Sequence, residues 1–246
     1  MLDKQYMEML SVNPAQMSIH LLEEFNGQSF PEQSPTSIME RDIDFPLAEK
    51  LLSRWVLRFS TDVAADWKDK ALFRSMNMAN EAARIPALTA AVFYDVGRSL
   101  ALWVSAYEIL THPGGKGEAS FATVSATLER VKWLNAKLSA SGHVIPGRNP
   151  QKKQLATWIC KKVYDLRNDF LHGHDVEAPA LLINGKVIID FAACLYRLAL
   201  TGSLDLHFNM PMPQSEDAEA LGAFINQRMN FNKFQITYEN ALLTAV

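Results

Sequence analysis

The side chains best able to do chemistry fall in one short run, Val163–Tyr164–Asp165–Leu166–Arg167–Asn168–Asp169–Phe170–Leu171–His172–Gly173–His174. Laid on a helix at about 100° per residue, Leu155, Ile159, Val163, Leu166 and Phe170 form a single apolar stripe that must face a core. Lys161, Asp165, Asn168 and His172 then project from nearly the opposite side, and Asn168 and His172, as i, i+4 neighbours, can share one site. Arg167 lies between the two faces, beside Tyr164 and Leu171. Gly173 suits the left-handed residue that follows a helix. His172 therefore stands in the last turn, where the carbonyl ends of the helix favour a protonated imidazole.

Such a set can perform one reaction without a metal. An imidazole exchanges a proton near neutral pH. A guanidinium grips a phosphate through two parallel hydrogen bonds and stabilises the added charge of a pentacoordinate phosphorus. A carboxamide can orient either the imidazole or a phosphate oxygen. RNA supplies its own nucleophile, the 2′-hydroxyl, so a base, an acid and a cation suffice for cleavage. One histidine does not easily act as base and acid at once; two copies across a dimer interface can.

The elements that would position these groups read as helices. Asp44 is an N-cap with Pro46 in the first turn, and Leu47, Leu51, Trp55 and Phe59 recur at helical spacing. A second helix starts after Thr61 or Asp62 and runs toward Arg84, with Trp67, Leu72 and Met76 among its apolar positions. Pro86 opens a third, on which Leu88, Val92, Ser99, Trp103, Ala106 and Leu110 share one face. Ala90, Gly97, Ala101 and Val104 line another with small side chains, so this helix is central. His112–Pro113–Gly114–Gly115 ends it. Ser120 caps a fourth helix, whose Val124, Leu128, Val131 and Leu134 make a stripe reaching Ser141–Gly142. A loop with Pro146, Gly147 and Pro150 leads to the motif helix, from Gln151 to His172. Asn184–Gly185 between apolar runs fits a hairpin or a simple break; we read a short turn, with room for a small hairpin over 181–188, then a helix through Leu200. A last helix spans Ser215 to Arg228, followed by an aromatic-rich end with Phe231, Phe234 and Tyr238. The expectation is an all-α bundle over 46–246, with an irregular segment, 1–45, packed on it.

Composition sets the bounds. The chain has 246 residues, 48% hydrophobic and 21% charged, with 11 glycines and 11 prolines, which suits a helical globular protein rather than a disordered or fibrous one. A formal net charge of -3 gives no global cationic excess for holding nucleic acid, so any RNA contact must be local. Cys160 and Cys194 sit in apolar runs without metal-ligand or redox spacing, which points to a reducing compartment. The start Met1–Leu2–Asp3–Lys4 lacks the order of a signal peptide. Pro86 to Leu110 is interrupted by Asp95, Arg98 and Glu108, so no membrane span is expected. The protein is expected in the cytoplasm, with no cofactor and no metal.

Arg167–Asn168 followed by His172–Gly173 resembles the R-N-x-x-x-H-G signature of HEPN domains, and the surrounding run is most similar to their Apea-like branch. Upstream, Leu100–Ala101–Leu102–Trp103–Val104–Ser105–Ala106–Tyr107–Glu108–Ile109–Leu110 is similar to the family's preceding helix, with its acidic residue near the end. The resemblance covers Pro86 to Leu200 and leaves the first 85 residues aside. It implies an α-helical bundle, a homodimer that pairs two motifs through the motif helix, and metal-independent cleavage of RNA. It also implies a setting in phage defence, abortive infection or a toxin–antitoxin system, with an antitoxin or defence partner. Carried over, Arg167 and His172 are catalytic and Asn168 supports them. Glu108, Asp165, Tyr164 and His174 stand beside the motif as supporting residues. Family toxins silenced by nucleotidylation carry a tyrosine two residues after the histidine; His174 stands there, so the resemblance does not carry that regulation over.

Plainer roles compete. Arg167 with Asp165 or Asp169 can form surface ion pairs, His172 can be a helix-terminal cation, and Glu108 a buried hydrogen-bond partner or a helix-end charge. The same bundle can also be a non-catalytic module that binds a nucleotide, an RNA or a protein partner. His172 and His174 form a His-x-His pair without a third metal ligand. Gly114–Gly115–Lys116–Gly117 lacks the spacing of a phosphate loop. Lys152–Lys153 and Lys161–Lys162 give the motif helix a basic edge, whether solvated or in contact with RNA. The five tryptophans are core or interface residues.

Overall fold

A computed structural model describes residues 42–59, 66–85, 93–147, 149–207, 212–213 and 217–246. Nearly all of the expected 1–45 segment lies outside these residues, as do the positions 60–65 and 86–92 where two helix starts were expected. The described residues form an all-α bundle carrying two small two-stranded sheets.

Helix α1 (Phe45–Phe59) begins where expected. The Asp44 carboxylate accepts the Leu47 N–H at 3.4 Å, a cap that satisfies one of the free donors of the first turn. Asn230, from the far end of the chain, accepts the Phe45 N–H at 3.0 Å and donates to the Ile43 carbonyl at 2.9 Å. Leu47 and Leu51 press on the core. Trp55 and Phe59 remain about half exposed, because α1 lies on the outside of the bundle, against the helices over Trp67–Arg84 and Ala218–Leu243. Helix α2 (Trp67–Arg84) follows Asp66, and Leu72, Ala79 and Ala82 face inward.

Helix α3 (Phe93–Thr111) is central, as its two apolar faces require. It packs on α2, α4 (Phe121–Leu128), α6 (Leu155–His172) and α7 (Ile188–Ser203). Ser75 of α2 donates to the Ala106 carbonyl at 2.7 Å and meets the Tyr196 hydroxyl at 2.7 Å, while Tyr107 donates to the Ala192 carbonyl at 2.7 Å. These bonds satisfy the polar groups of an otherwise apolar contact. At Gly97 the Phe170 side chain of α6 comes close: a Cβ there would stand 2.7 Å from its ring. Gly97→Ala is therefore expected to lower stability by about 1–2 kcal/mol, overpacking outweighing the better helix propensity of alanine. A thermal melt reads this, and an unchanged midpoint contradicts the close packing.

Three segments differ from the sequence expectation. The fourth helix stops at Leu128 instead of running on to Ser141–Gly142, and Leu134 is half exposed. Glu239 keeps the chain beyond Leu128 from resuming the helix ladder: its carboxylate accepts the backbone N–H groups of Leu134 and Asn135, each at 2.8 Å. One further turn, α5 (Ala136–Ser139), follows, capped by Asn135. The Pro-Gly loop is the tip of a hairpin, β1 (His143–Ile145) with β2 (Gln151–Lys153), in which Val144 faces Lys152. Pairing occupies the backbone of 151–153, and the motif helix consequently starts at Leu155 rather than Gln151. The last helix, α8 (Ala218–Leu243), continues well past Arg228. Phe224, Phe231, Gln235, Glu239 and Leu242 are its buried face, at spacings of a helix rather than an irregular tail. The 181–188 turn is a hairpin, β3 (Leu182–Ile183) with β4 (Lys186–Val187). Asn184 and Gly185 both have positive φ, 48° and 73°, as a type I′ turn demands.

A polar network ties the ends of the chain together. Asp44 Oδ2 accepts from Arg197 Nη2 at 2.7 Å and Nε at 3.3 Å. Arg197 Nη1 donates to Gln235 Oε1, and Gln235 Nε2 donates to Glu239 Oε1 at 2.8 Å. Arg197, Gln235 and Glu239 are almost wholly buried. The Arg197 guanidinium also lies 5.0 Å from the Tyr238 ring centre, within cation–π range.

Candidate functional site

The motif lies on the C-terminal half of α6. Leu155, Ile159, Val163 and Leu166 are buried as the stripe requires, and Phe170 packs on the core edge. Gly173 takes φ 70°. The His174 N–H reaches the Asp169 carbonyl at 2.9 Å and the Gly173 N–H reaches the Phe170 carbonyl at 3.4 Å, the paired bonds of a Schellman end. An apolar contact often reinforces that motif. Here His174 Nδ1 and Asp169 Oδ1 do so at 2.9 Å. The His172 side chain is left exposed at the tip, its ring centre 6.0 Å from that of His174.

Arg167 turns inward. Its Nη1 donates to Asn168 Oδ1 at 3.0 Å, and its Nη2 stands 3.8 Å from Glu108 Oε2 near the end of α3. The Arg167 and Glu108 side chains are about three-quarters shielded from solvent, so their attraction is screened less than that of a surface pair. Arg167 Nε and the Tyr164 hydroxyl are buried without a hydrogen-bond partner. The Tyr164 oxygen lies beside the Glu108 carboxylate but outside good hydrogen-bond geometry. Burial holds the Tyr164 phenol far above its ordinary range, so it remains a neutral donor.

Burial likewise raises the Glu108 pKa above the usual carboxylate range, the Arg167 charge pulling only partly against it. A carboxyl that binds its proton more tightly when folded contributes stability that is complete below its unfolded pKa and is lost as pH rises through the folded value. Glu108→Gln is therefore expected to flatten the dependence of melting temperature on pH between about 4 and 7. A slope identical to wild type contradicts this.

Asn168 and Arg167 are thus joined, and Glu108 and Tyr164 face Arg167. Within one chain His172 keeps to the Asn168 side of the helix, at i, i+4, while five residues separate it from Arg167 by about 140° and about 7.5 Å of rise. Asp165 is exposed and paired with Lys161, and His174 is held by Asp169. These two pairs cap and solubilise the helix.

Sequence reasoning passed over two other polar groupings. One is the Asp44–Arg197–Gln235–Glu239 chain. The other is a pocket beside the C-terminal end of α3, where buried Asp69 faces Arg54 at 3.2 Å. Both are assembled from distant segments, so no local spacing announces them. Among the described residues no helix is long and apolar enough to cross a membrane, and no group of three or more His, Cys, Asp or Glu side chains is placed to hold a metal ion. No protein-family model, curated protein or solved structure matches this chain.

Proposed function

We propose that the protein is a metal-independent endoribonuclease of the HEPN type, working as a homodimer with two α6 tips in one cleft. The observation that carries this reading is the end of α6, where a left-handed Gly173 leaves His172 exposed while Arg167 and Asn168 stay hydrogen-bonded one turn below. Because the two groups diverge within one chain, the reaction requires a second copy. One His172 takes the 2′-hydroxyl proton as the 2′-oxygen attacks phosphorus. The partner's His172 protonates the departing 5′-oxygen, and the Arg167 side chains neutralise the phosphorane. The products are a 2′,3′-cyclic phosphate and a 5′-hydroxyl. The HEPN resemblance implies a cytoplasmic role in phage defence or a toxin–antitoxin system. RNA incubated with wild-type protein in EDTA is expected to be cut with those two end groups; cleavage abolished by EDTA, or other end groups, rejects the mechanism.

A second reading is favoured by the inward turn of Arg167. Its contacts with Glu108 and Asn168 also suit a non-catalytic module in which the motif holds α6 to α3. In that case the pure protein binds RNA, a nucleotide or a protein partner without cutting RNA.

A further inference from the structure

Arg167 is held in surroundings that serve it poorly. A guanidinium carries five N–H donors. Here Nη1 makes one hydrogen bond of good geometry, to Asn168 Oδ1 at 3.0 Å. Nη2 stands 3.8 Å from Glu108 Oε2, too far for a hydrogen bond, and Nε is buried with no partner. A buried donor left unpaired is a cost that a better acceptor removes. A phosphate, which takes two parallel bonds from a guanidinium, is such an acceptor. About a quarter of the Arg167 side chain stays in solvent, so an anion can meet it without the helices parting.

Departure of Arg167 would ordinarily strand the Glu108 carboxylate. Tyr164 answers this. Its hydroxyl is buried beside that carboxylate and has no hydrogen-bond partner of good geometry. It stands three residues before Arg167, on the same flank of α6. Burial keeps the phenol protonated, so it can turn and donate to Glu108 as the guanidinium leaves. Two donors thus face one carboxylate, and only one of them is needed there.

We propose that Glu108 parks Arg167 until a phosphate arrives, and that Tyr164 then takes the place of Arg167 on the carboxylate. This rests on the part of the RNA-cleaving reading that brings a phosphate to Arg167. It makes Glu108 and Tyr164 positioning residues, which act on RNA only through Arg167. Fluorescence anisotropy of the full chain with a 2′-O-methylated RNA oligonucleotide, which offers phosphates but no nucleophile, tests it. Glu108→Gln is expected to tighten binding about three- to fivefold, the scale of a partly exposed ion pair. Adding Arg167→Ala should remove that gain. Tyr164→Phe is expected to weaken binding by a similar factor, because Glu108 then lacks its second donor. In Glu108→Gln the plot of log affinity against log salt should steepen by about 0.7 for each Arg167 that gains a phosphate; a merely structural change leaves that slope alone. Equal or weaker binding by Glu108→Gln, or binding by Tyr164→Phe equal to or tighter than wild type, overturns the proposal. If Glu108→Gln fails to fold, Tyr164→Phe, which removes a single oxygen atom, still decides. Cleavage of unmodified RNA by wild type is scored separately. The parking stands if the affinities shift as stated though no RNA is cut, and falls if they do not though RNA is cut. No binding by any of the proteins overturns both.

Discussion

On the proposed mechanism, His172→Ala is expected to abolish RNA cleavage while leaving the fold intact. General acid–base catalysis by a positioned side chain is worth about 10²–10⁴-fold, and in a twofold site the substitution removes base and acid together, so the upper end of that range is expected. The imidazole is exposed, and no hydrogen bond ties it to the bundle, so the melting temperature should match wild type within about 1 °C, the scale of a surface change. That pairing separates loss of chemistry from loss of structure. Full cleavage by the variant in EDTA would falsify the proposed mechanism. Arg167→Ala is expected to behave differently, because it also strips Glu108 of its cation: both cleavage and stability should fall.

Glu239→Leu lowers the unfolding free energy by about 3–5 kcal/mol. The leucine leaves three donors without their acceptor: the part-buried N–H groups of Leu134 and Asn135 and the buried Gln235 amide. Each unsatisfied donor costs about 1–3 kcal/mol, with incomplete additivity. Glu239→Gln keeps one carbonyl oxygen in place and should cost about half as much. Urea unfolding followed by tryptophan fluorescence measures both. A loss below about 1 kcal/mol for the leucine variant would mean that water replaces the carboxylate and that the 129–135 turn holds itself.

The helices with regular apolar spacing were legible in the sequence, and so was the left-handed end at Gly173, because periodicity and glycine both act locally. The motif run lies on a helix as its spacing predicts, and the i, i+4 relation of Asn168 and His172 follows from helical geometry. What stayed hidden depends on residues far away. The fourth helix has a stripe that continues through Leu134, yet the Leu134 N–H is taken by a carboxylate 105 residues later. The strand at Gln151–Lys153 is too short and too polar to announce itself; it exists because His143–Ile145 lies alongside. Reading α8 as ending at Arg228 removed Gln235 and Glu239 from any helical face, and with them the network to Arg197. The inward swing of Arg167 toward Glu108 depends on how α3 and α6 cross, which neither segment encodes alone.

That network has a consequence for how the protein is made. The turn before α5 and the cap region of α1 are both secured by α8, across 105 residues for Leu134 with Glu239 and 185 residues for Phe45 with Asn230. During synthesis, the amino-terminal helices leave the ribosome long before their clasps are translated. The nascent bundle should consequently stay susceptible to proteolysis until α8 emerges, and the finished chain should fold slowly for a helical protein, since contacts this distant in sequence retard the search.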